Sequence, residues 1–337
     1  VHLDVFKADG FSVTSLTEAI NKVPYVPGLL APLFVERRVS TLTINVEEKN
    51  GVLTLVAPTP RGSQSEPIAK GKRSLRPLAI PHFERPDAVM ADEVQGIRAF
   101  GSETELETLQ GKIAERMATH TQDFEATAEY SRIGAIKGIV SYADGTTLNL
   151  FTTFEVSQET EVAFDLAAAN PTAGVLRKKC DGVHRLIAKN LGGTPFSGIR
   201  SEVGDDFWDD LIAHKEVRET YLNQQEASQL REGTAYQEFN FGGIIWRNYR
   251  GAASIGGVET PFVHADKAHF YPVGVNGLFT ATYAPADYIE TVNTQGQRLY
   301  MKQFPMPNDK GINIEVQMNA LHICTRPKVL IKGKRQA

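Results

Sequence analysis

Cysteine is nearly absent: Cys180 and Cys324 are the only two in 337 residues, and neither belongs to a CxxC. That excludes a disulfide framework and makes a reducing compartment the expectation. No apolar run reaches the roughly 18–20 residues that a membrane helix needs, so no spanning segment is expected. Val1 to Gly10 lacks a basic stretch followed by an apolar one, so no signal peptide is expected there. No Asn-x-Ser/Thr sequon with a permitted middle residue occurs. An excess of positive charge is missing too. Thirty-six Lys+Arg face 40 Asp+Glu, giving a net charge of −4, the wrong sign for a whole-surface nucleic-acid binder. Internal repeats, low-complexity tracts and heptad arrays are also lacking. What remains, 42% hydrophobic and 23% charged, is the composition of a folded globular chain with a sizeable core.

The first 40 residues read as an arm. Ser15 to Asn21 has helical character, with Ser15 as N-cap and Glu18 three residues on, but Pro24, Pro27 and Pro32 break any continuation. From Val39 the pattern takes period 2, with Leu42, Ile44 and Val46 on one face of a half-buried strand. Lys49-Asn50-Gly51 supplies a turn, and Leu53 and Leu55 share a face of the returning strand. Residues 58–86 hold six prolines, and residues 61–76 carry Arg61, Lys70, Lys72, Arg73 and Arg76 against the single acid Glu66. So long a loop is either functional or merely solvated. The strand-like flanks, Val52 to Ala57 and Ser74 to Ile80, favour an extended arm that reaches a neighbour.

A long helix is expected from Ser102. Ser102 and Glu105 form a capping box, and Glu103, Glu105 and Glu107 suit the helix dipole. Leu106, Leu109, Ile113, Met117, His120, Phe124, Tyr130 and Ile133 define one stripe, and Gly134 and Gly138 mark the end. Asp144-Gly145 between two strand-like runs signals a hairpin. From about Glu161 the texture is α/β. Helices are expected over Val175 to Asn190 and Asp205 to Leu222, and a strand over Tyr236 to Trp246 with a bulge at Gly242-Gly243. Leu299 to Phe304 and Ile312 to Met318 read as strands, the second by strict alternation.

Catalytic motifs are not found. Gly193 to Gly198 lacks the Lys and Ser/Thr of a phosphate loop, Ser254 has Ala252 where a nucleophile elbow needs Gly, and no HExxH occurs. Asp205-Asp206 and Asp209-Asp210 are explained by a helix start, and His322 with Cys324 by a core. His264, Asp266 and His269 are the best metal-like cluster and support one alternative, a metal-dependent hydrolase. Against it, strand alternation points His269 away from the other two, and Lys267 would repel a cation. A phage tail structural protein is a further alternative.

One resemblance covers nearly the whole chain in order. Gly277 to Gly296, with its Tyr-Ala-Pro-Ala-Asp-Tyr core at 283–288, resembles the C-terminal signature of the tailed-phage major capsid protein E family. Asp206 to His214 resembles that family's mid-chain helix. Leu53 to Gly62 and Ala91 to Arg98 resemble its N-terminal half. The resemblance implies an α+β fold of the Hong Kong 97 type: an N-terminal arm (1–40), a strand hairpin with an extended loop (41–92) and a peripheral domain with a spine helix (93–159). An axial domain (160–276), a return to the peripheral domain (277–319) and a C-terminal segment (320–337) complete it. It implies a structural, non-enzymatic shell protein in the virion, assembled in host cytoplasm, with no cofactor and no catalytic or metal residues. Its partners would be itself in pentamers and hexamers, a portal, a scaffold, a decoration protein, and packaged double-stranded DNA by weak contact. Under that reading Arg61, Lys70, Lys72, Arg73 and Arg76 are the candidate inter-subunit contacts.

Overall fold

A computed structural model describes residues 28–48, 74–91, 93, 105–168, 172–222, 238–255, 258–307 and 310–336. The Ser15 to Asn21 helix, the Asn50-Gly51 turn, the strand with Leu53 and Leu55, and Ser102 lie outside the described residues. Strands β1 (Val35–Arg38), β2 (Thr43–Glu48), β3 (Ser74–Ala79) and β4 (His82–Met90) precede the 33-residue helix α1 (Glu105–Lys137). The hairpin β5 (Ile139–Ser141) and β6 (Thr147–Asn149) leads to one helical turn, α2 (Leu150–Thr153). Next come β7 (Val162–Ala163), α3 (Val175–Leu191), β8 (Gly198–Val203), α4 (Asp205–Ala213) and α5 (Lys215–Leu222). Then follow β9 (Glu238–Phe241), β10 (Ile244–Asn248), β11 (Ala252–Ile255), β12 (Val258–Pro261) and β13 (Lys267–Val273). The last strands are β14 (Phe279–Tyr283), β15 (Tyr300–Pro305), β16 (Gly311–Cys324) and β17 (Ile331–Lys334).

The chain divides into two units. The first comprises Val1–Ile44, Pro77–Glu129 and Thr280–His322. Its sheet has the order β1-β14-β16-β15, with β4 also paired to β16. β16 is the organising strand. Ile312, Ile314 and Val316 are buried while Gly311, Asn313 and Glu315 are half-buried, and from Val316 to Cys324 every residue is buried. Alternation was therefore legible only where one face meets solvent. β4 was not expected as a strand because Pro86 sits inside it. It pairs only with β16 among the described residues, with Pro86 opposite Glu315, and a proline's missing N–H is tolerated on such an edge. Val35–Arg38, within the stretch read as an arm, pairs in parallel with β14.

Within this unit α1 buries Ile113, Met117, His120 and Phe124 at helical spacing. Glu125 and Glu129 on the same helix accept hydrogen bonds from the backbone N–H groups of Gly28 (2.8 Å) and Leu30 (2.9 Å). Those bonds fix the path of the chain into β1.

The second unit comprises Asn45–Arg76, Tyr130–Phe279 and Ile323–Ala337. Ser131 to Ile136 of α1 are buried all round, which a single stripe does not anticipate. Gly134 is the reason. A Cβ there would lie 2.8 Å from the Cα of Val140, so this glycine admits a close backbone approach instead of ending the helix. The end comes at Gly138, whose φ of 81° suits a left-handed stop. Asn149 caps α2 by accepting from the N–H groups of Phe151 and Thr152.

The sheet of this unit has the order β7-β17-β13-β8-β10-β9. Pairs β7/β17 and β8/β10 are parallel, the others antiparallel. Its core is aromatic: Phe207 stacks on Trp246 and Phe164 on Phe270, with Trp246 edge-on to Phe164 and Phe270. α3 adds Leu176, Cys180, Val183, Ile187 and Leu191.

Two expectations need correction here. The helix expected over Asp205 to Leu222 is broken at His214, whose backbone is extended at φ −62°, ψ 135°. His214 is buried, and its Nδ1 accepts from the Glu216 N–H at 3.3 Å, so it starts α5 as a cap. Gly242-Gly243 is no bulge. With φ of 61° and 75° the pair forms the two-residue turn of a hairpin that sets Phe241 opposite Ile244. Only glycine fits at 242, where an added Cβ would meet Cys180 Sγ at 2.8 Å.

Candidate functional site

Arg61, Lys70, Lys72 and Arg73 lie outside the described residues. Arg76, on β3, is engaged within its own chain: its guanidinium donates to the Thr153 carbonyl (2.5 Å) and pairs with Glu155 (3.0 Å). The hydrogen bond from Arg76 to Glu155, then the guanidinium charge, lowers the Glu155 carboxyl below its ordinary range. Glu155 takes a φ of 51°.

His264, Asp266 and His269 do not form one site. His264 is exposed, with Nδ1 2.5 Å from Asp266 Oδ1, in the turn before β13. Lys267 is held by Glu161 (3.0 Å) and Asp266 (3.4 Å). His269 is buried within β13, opposite Lys332 of β17 and Glu202 of β8. No group of three His, Cys, Asp or Glu side chains converges on a cation position among the described residues. The hydrolase alternative has no support in this geometry.

His269 does matter for acid stability. Burial, with the charges of Lys137, Lys332 and Lys267 nearby, pushes its pKa from 6.5 down to about 3. Above pH 6.5 it is neutral folded or unfolded, and it contributes no pH dependence. Between pH 6.5 and 3 the unfolded chain binds a proton that the folded chain does not. Stability from this group therefore falls with falling pH, by up to about 1.4 kcal/mol per unit. Urea unfolding of the native chain and of His269→Gln at pH 7 and pH 5 is the check. The native chain should lose about 1–2 kcal/mol more than the variant over that interval. Equal losses would place the acid sensitivity elsewhere.

The most elaborate polar constellation was missed from sequence. Glu202 on β8 is fully buried and is gripped by Arg247 of β10, through Nε–Oε2 at 2.8 Å and Nη2–Oε1. Tyr271 of β13 donates to the same carboxylate at 2.6 Å, and Glu238 of β9 meets Arg247 Nη1 at 3.3 Å. Burial works against the Arg247 charge, but the hydrogen bonds and charge of Glu202 outweigh it and hold the guanidinium protonated. Burial and Glu202 raise Tyr271 well above its ordinary pKa, keeping the phenol a donor. These residues come from four strands, and only their register brings them together. Two buried thiols complete the inventory: burial pushes Cys180 and Cys324 up to about 12, so neither is a nucleophile.

The first unit presents exposed apolar side chains: Ile289 is 89% and Val292 62% exposed. They sit on a loop braced by Thr291, whose hydroxyl donates to the carbonyls of Ala286 (2.7 Å) and Tyr288 (2.9 Å). Surfaces of this kind suit protein contact.

The architecture is the α+β capsid fold of the Hong Kong 97 type. A capsid protein assigned to a prophage of E. coli CFT073 matches it with a TM-score of 0.59 at 14% identity, covering 96% of this chain and 98% of that one. Residues 12–335 match the family model described as phage major capsid protein E, and the chain belongs to that family. It is 29% identical over 351 residues to the major capsid protein of Pseudomonas phage KPP10, with 97% of each chain covered. To the major capsid protein of Salmonella phage Felix O1 it is 25% identical over 360 residues, again with 97% of each covered. It is a shell-forming structural protein of the phage virion.

Proposed function

We propose that copies of this chain close into pentamers and hexamers that tile the head around packaged double-stranded DNA. The match to the capsid family over residues 12–335 carries this reading. In it the chain works by geometry, without catalysis, and needs no cofactor. Unlike surfaces that repeat around a ring close when the rotation allows, and arms that cross to neighbours tie rings into a shell. Residues 93–159 and 277–319 take the peripheral role, and residues 160–276 the axial one. Assembly takes place in host cytoplasm, with a portal, a scaffold and a decoration protein as further partners. The net charge of −4 suits a container for a polyanion, because a lining that neutralised many phosphates would bind its cargo tightly.

The chain expressed alone should give rings or shells by electron microscopy and fast-sedimenting material. Only slow-sedimenting monomers under all salt conditions would refute the reading. A second test addresses the basic segment, in which Arg61, Lys70, Lys72 and Arg73 are assigned to contact with a neighbouring subunit. Lys72→Glu with Arg73→Glu should leave thermal unfolding within about 0.5 kcal/mol of the native chain. Closed shells should nevertheless be lost, since each weakened contact recurs at every subunit. Normal shells from this variant would assign the segment to solvent.

A further inference from the structure

The second unit carries two flanks of opposite charge. α3 turns its apolar stripe inward and leaves Arg177, Lys178, Arg185 and Lys189 exposed. These four cations fall within an arc of about 120° on the helix. None is within ion-pairing distance of a carboxylate among the described residues. Beside them an open cleft of about 410 Å³ is lined by Arg177, Asp181, His184 and the Gly242-Gly243 turn.

On α4, Asp205, Asp206, Asp209 and Asp210 lie opposite the buried Phe207, Trp208 and Leu211. Arg250 holds Asp205 at 2.8 Å, and Arg335 holds Asp210 at 2.6 Å and Asp206 at 3.6 Å. Asp209 is exposed and has no cation within ion-pairing distance among the described residues. The flank therefore stays acidic after its internal pairs are formed. The two flanks also stand at opposite ends of the same strand. The Gly242-Gly243 turn in the cleft precedes β10, and Asn248 at the end of β10 donates to Asp205 at 2.9 Å. Five residues at roughly 3.3 Å each put about 15 Å between them along that strand.

We infer that the basic flank of α3 is an assembly surface that receives the acidic flank of α4 from a second copy of this chain, in a head-to-tail contact. The inference rests on the shell-building reading above and names the surfaces that would carry it out. A head-to-tail contact joins unlike patches, which the chain supplies at the two ends of one unit. Opposite charges steer such an encounter, fix its register and penalise like-against-like docking. The composition of the basic flank favours a protein partner over DNA. Asp181 lies in the middle of the cation arc, where a phosphate backbone would be repelled and a mixed protein surface can be matched.

Charge reversal and charge exchange test this. Lys178→Glu with Arg185→Glu reverses one flank, Asp206→Lys with Asp209→Lys reverses the other, and a third variant carries all four changes. Each is compared with the native chain by sedimentation and electron microscopy at low and raised salt, with thermal unfolding as the control for folding. Each pair alone should cut assembled material about tenfold or more. The four-residue exchange should restore it, because unlike charges face each other again. Neither a folding defect nor a loss of DNA contact produces that restoration. Undiminished assembly in either pair, or no recovery in the exchange, overturns the inference. Intact shells that fail only to retain DNA would assign the α3 flank to nucleic acid and also overturn it. Should one pair unfold, Arg185→Glu exchanged against Asp209→Lys repeats the test with one charge per flank. A native chain that makes rings but no shells still decides the charge pairing, and shells that form normally from both charge-reversed pairs overturn this inference alone. A native chain that stays monomeric overturns both.

Discussion

Arg247→Leu is expected to destabilise the chain by about 3–5 kcal/mol, measured by urea unfolding. Glu202 is fully buried, and among the described residues Arg247 is its ion-pair partner and Tyr271 a further donor. Removal of the guanidinium leaves a carboxylate in the sheet interior with one hydrogen bond and no countercharge. That is the costly half of a buried ion pair, since the desolvation of both charges is offset only while they remain together. Glu202→Gln with Arg247→Met should recover most of the loss, because glutamine still accepts from Tyr271 and no charge remains to be buried. A single-substitution cost under about 1 kcal/mol would mean that water reaches Glu202 and solvates it.

Phe124→Ala should cost about 3–5 kcal/mol, from lost burial and the cavity left behind. Phe124 is 6% exposed on the buried stripe of α1, four residues from His120 and seven from Met117. Gln122→Ala, on the exposed side of the same helix, should stay within about 0.5 kcal/mol. The contrast isolates packing from helix propensity, since alanine is the best helix former in both positions. Equal effects from the two substitutions would show that the stripe does not pack as described.

Local signals announced most of the elements. The 3.6-residue spacing from Ile113 to Ile133 marked α1, which runs Glu105–Lys137. Asp144-Gly145 marked the β5/β6 hairpin, where Gly145 takes a φ of 84°. Alternation from Ile312 marked β16 but stopped being informative at Val316, beyond which both faces are buried. β4 was hidden by Pro86, since the edge position that excuses a proline is a property of the sheet. The break at His214 was hidden because Asp205 to Leu222 keeps a helical pattern through it. At the break the His214 imidazole accepts from the Glu216 N–H and stands in for a backbone partner at the start of α5.

The sequence by itself determined the class of the molecule. The ordered set of segments that resemble the capsid family, from Leu53 to Gly62 through Gly277 to Gly296, carried it, because each segment is a run of neighbouring residues. Tertiary structure decided everything that depends on register. The Glu202–Arg247–Tyr271 network draws one residue from each of three strands, and no spacing within any one of them announces it. Alternation already set His269 apart from His264, but that His264 and Asp266 stand in the turn ahead of β13 was settled by where that strand begins. The charge of α3 and α4 was plain in the sequence, but their placement at opposite ends of β10 was not. Side-chain chemistry is encoded residue by residue, whereas the meeting of distant side chains is set by which strands pair and how far each is slid along its partner.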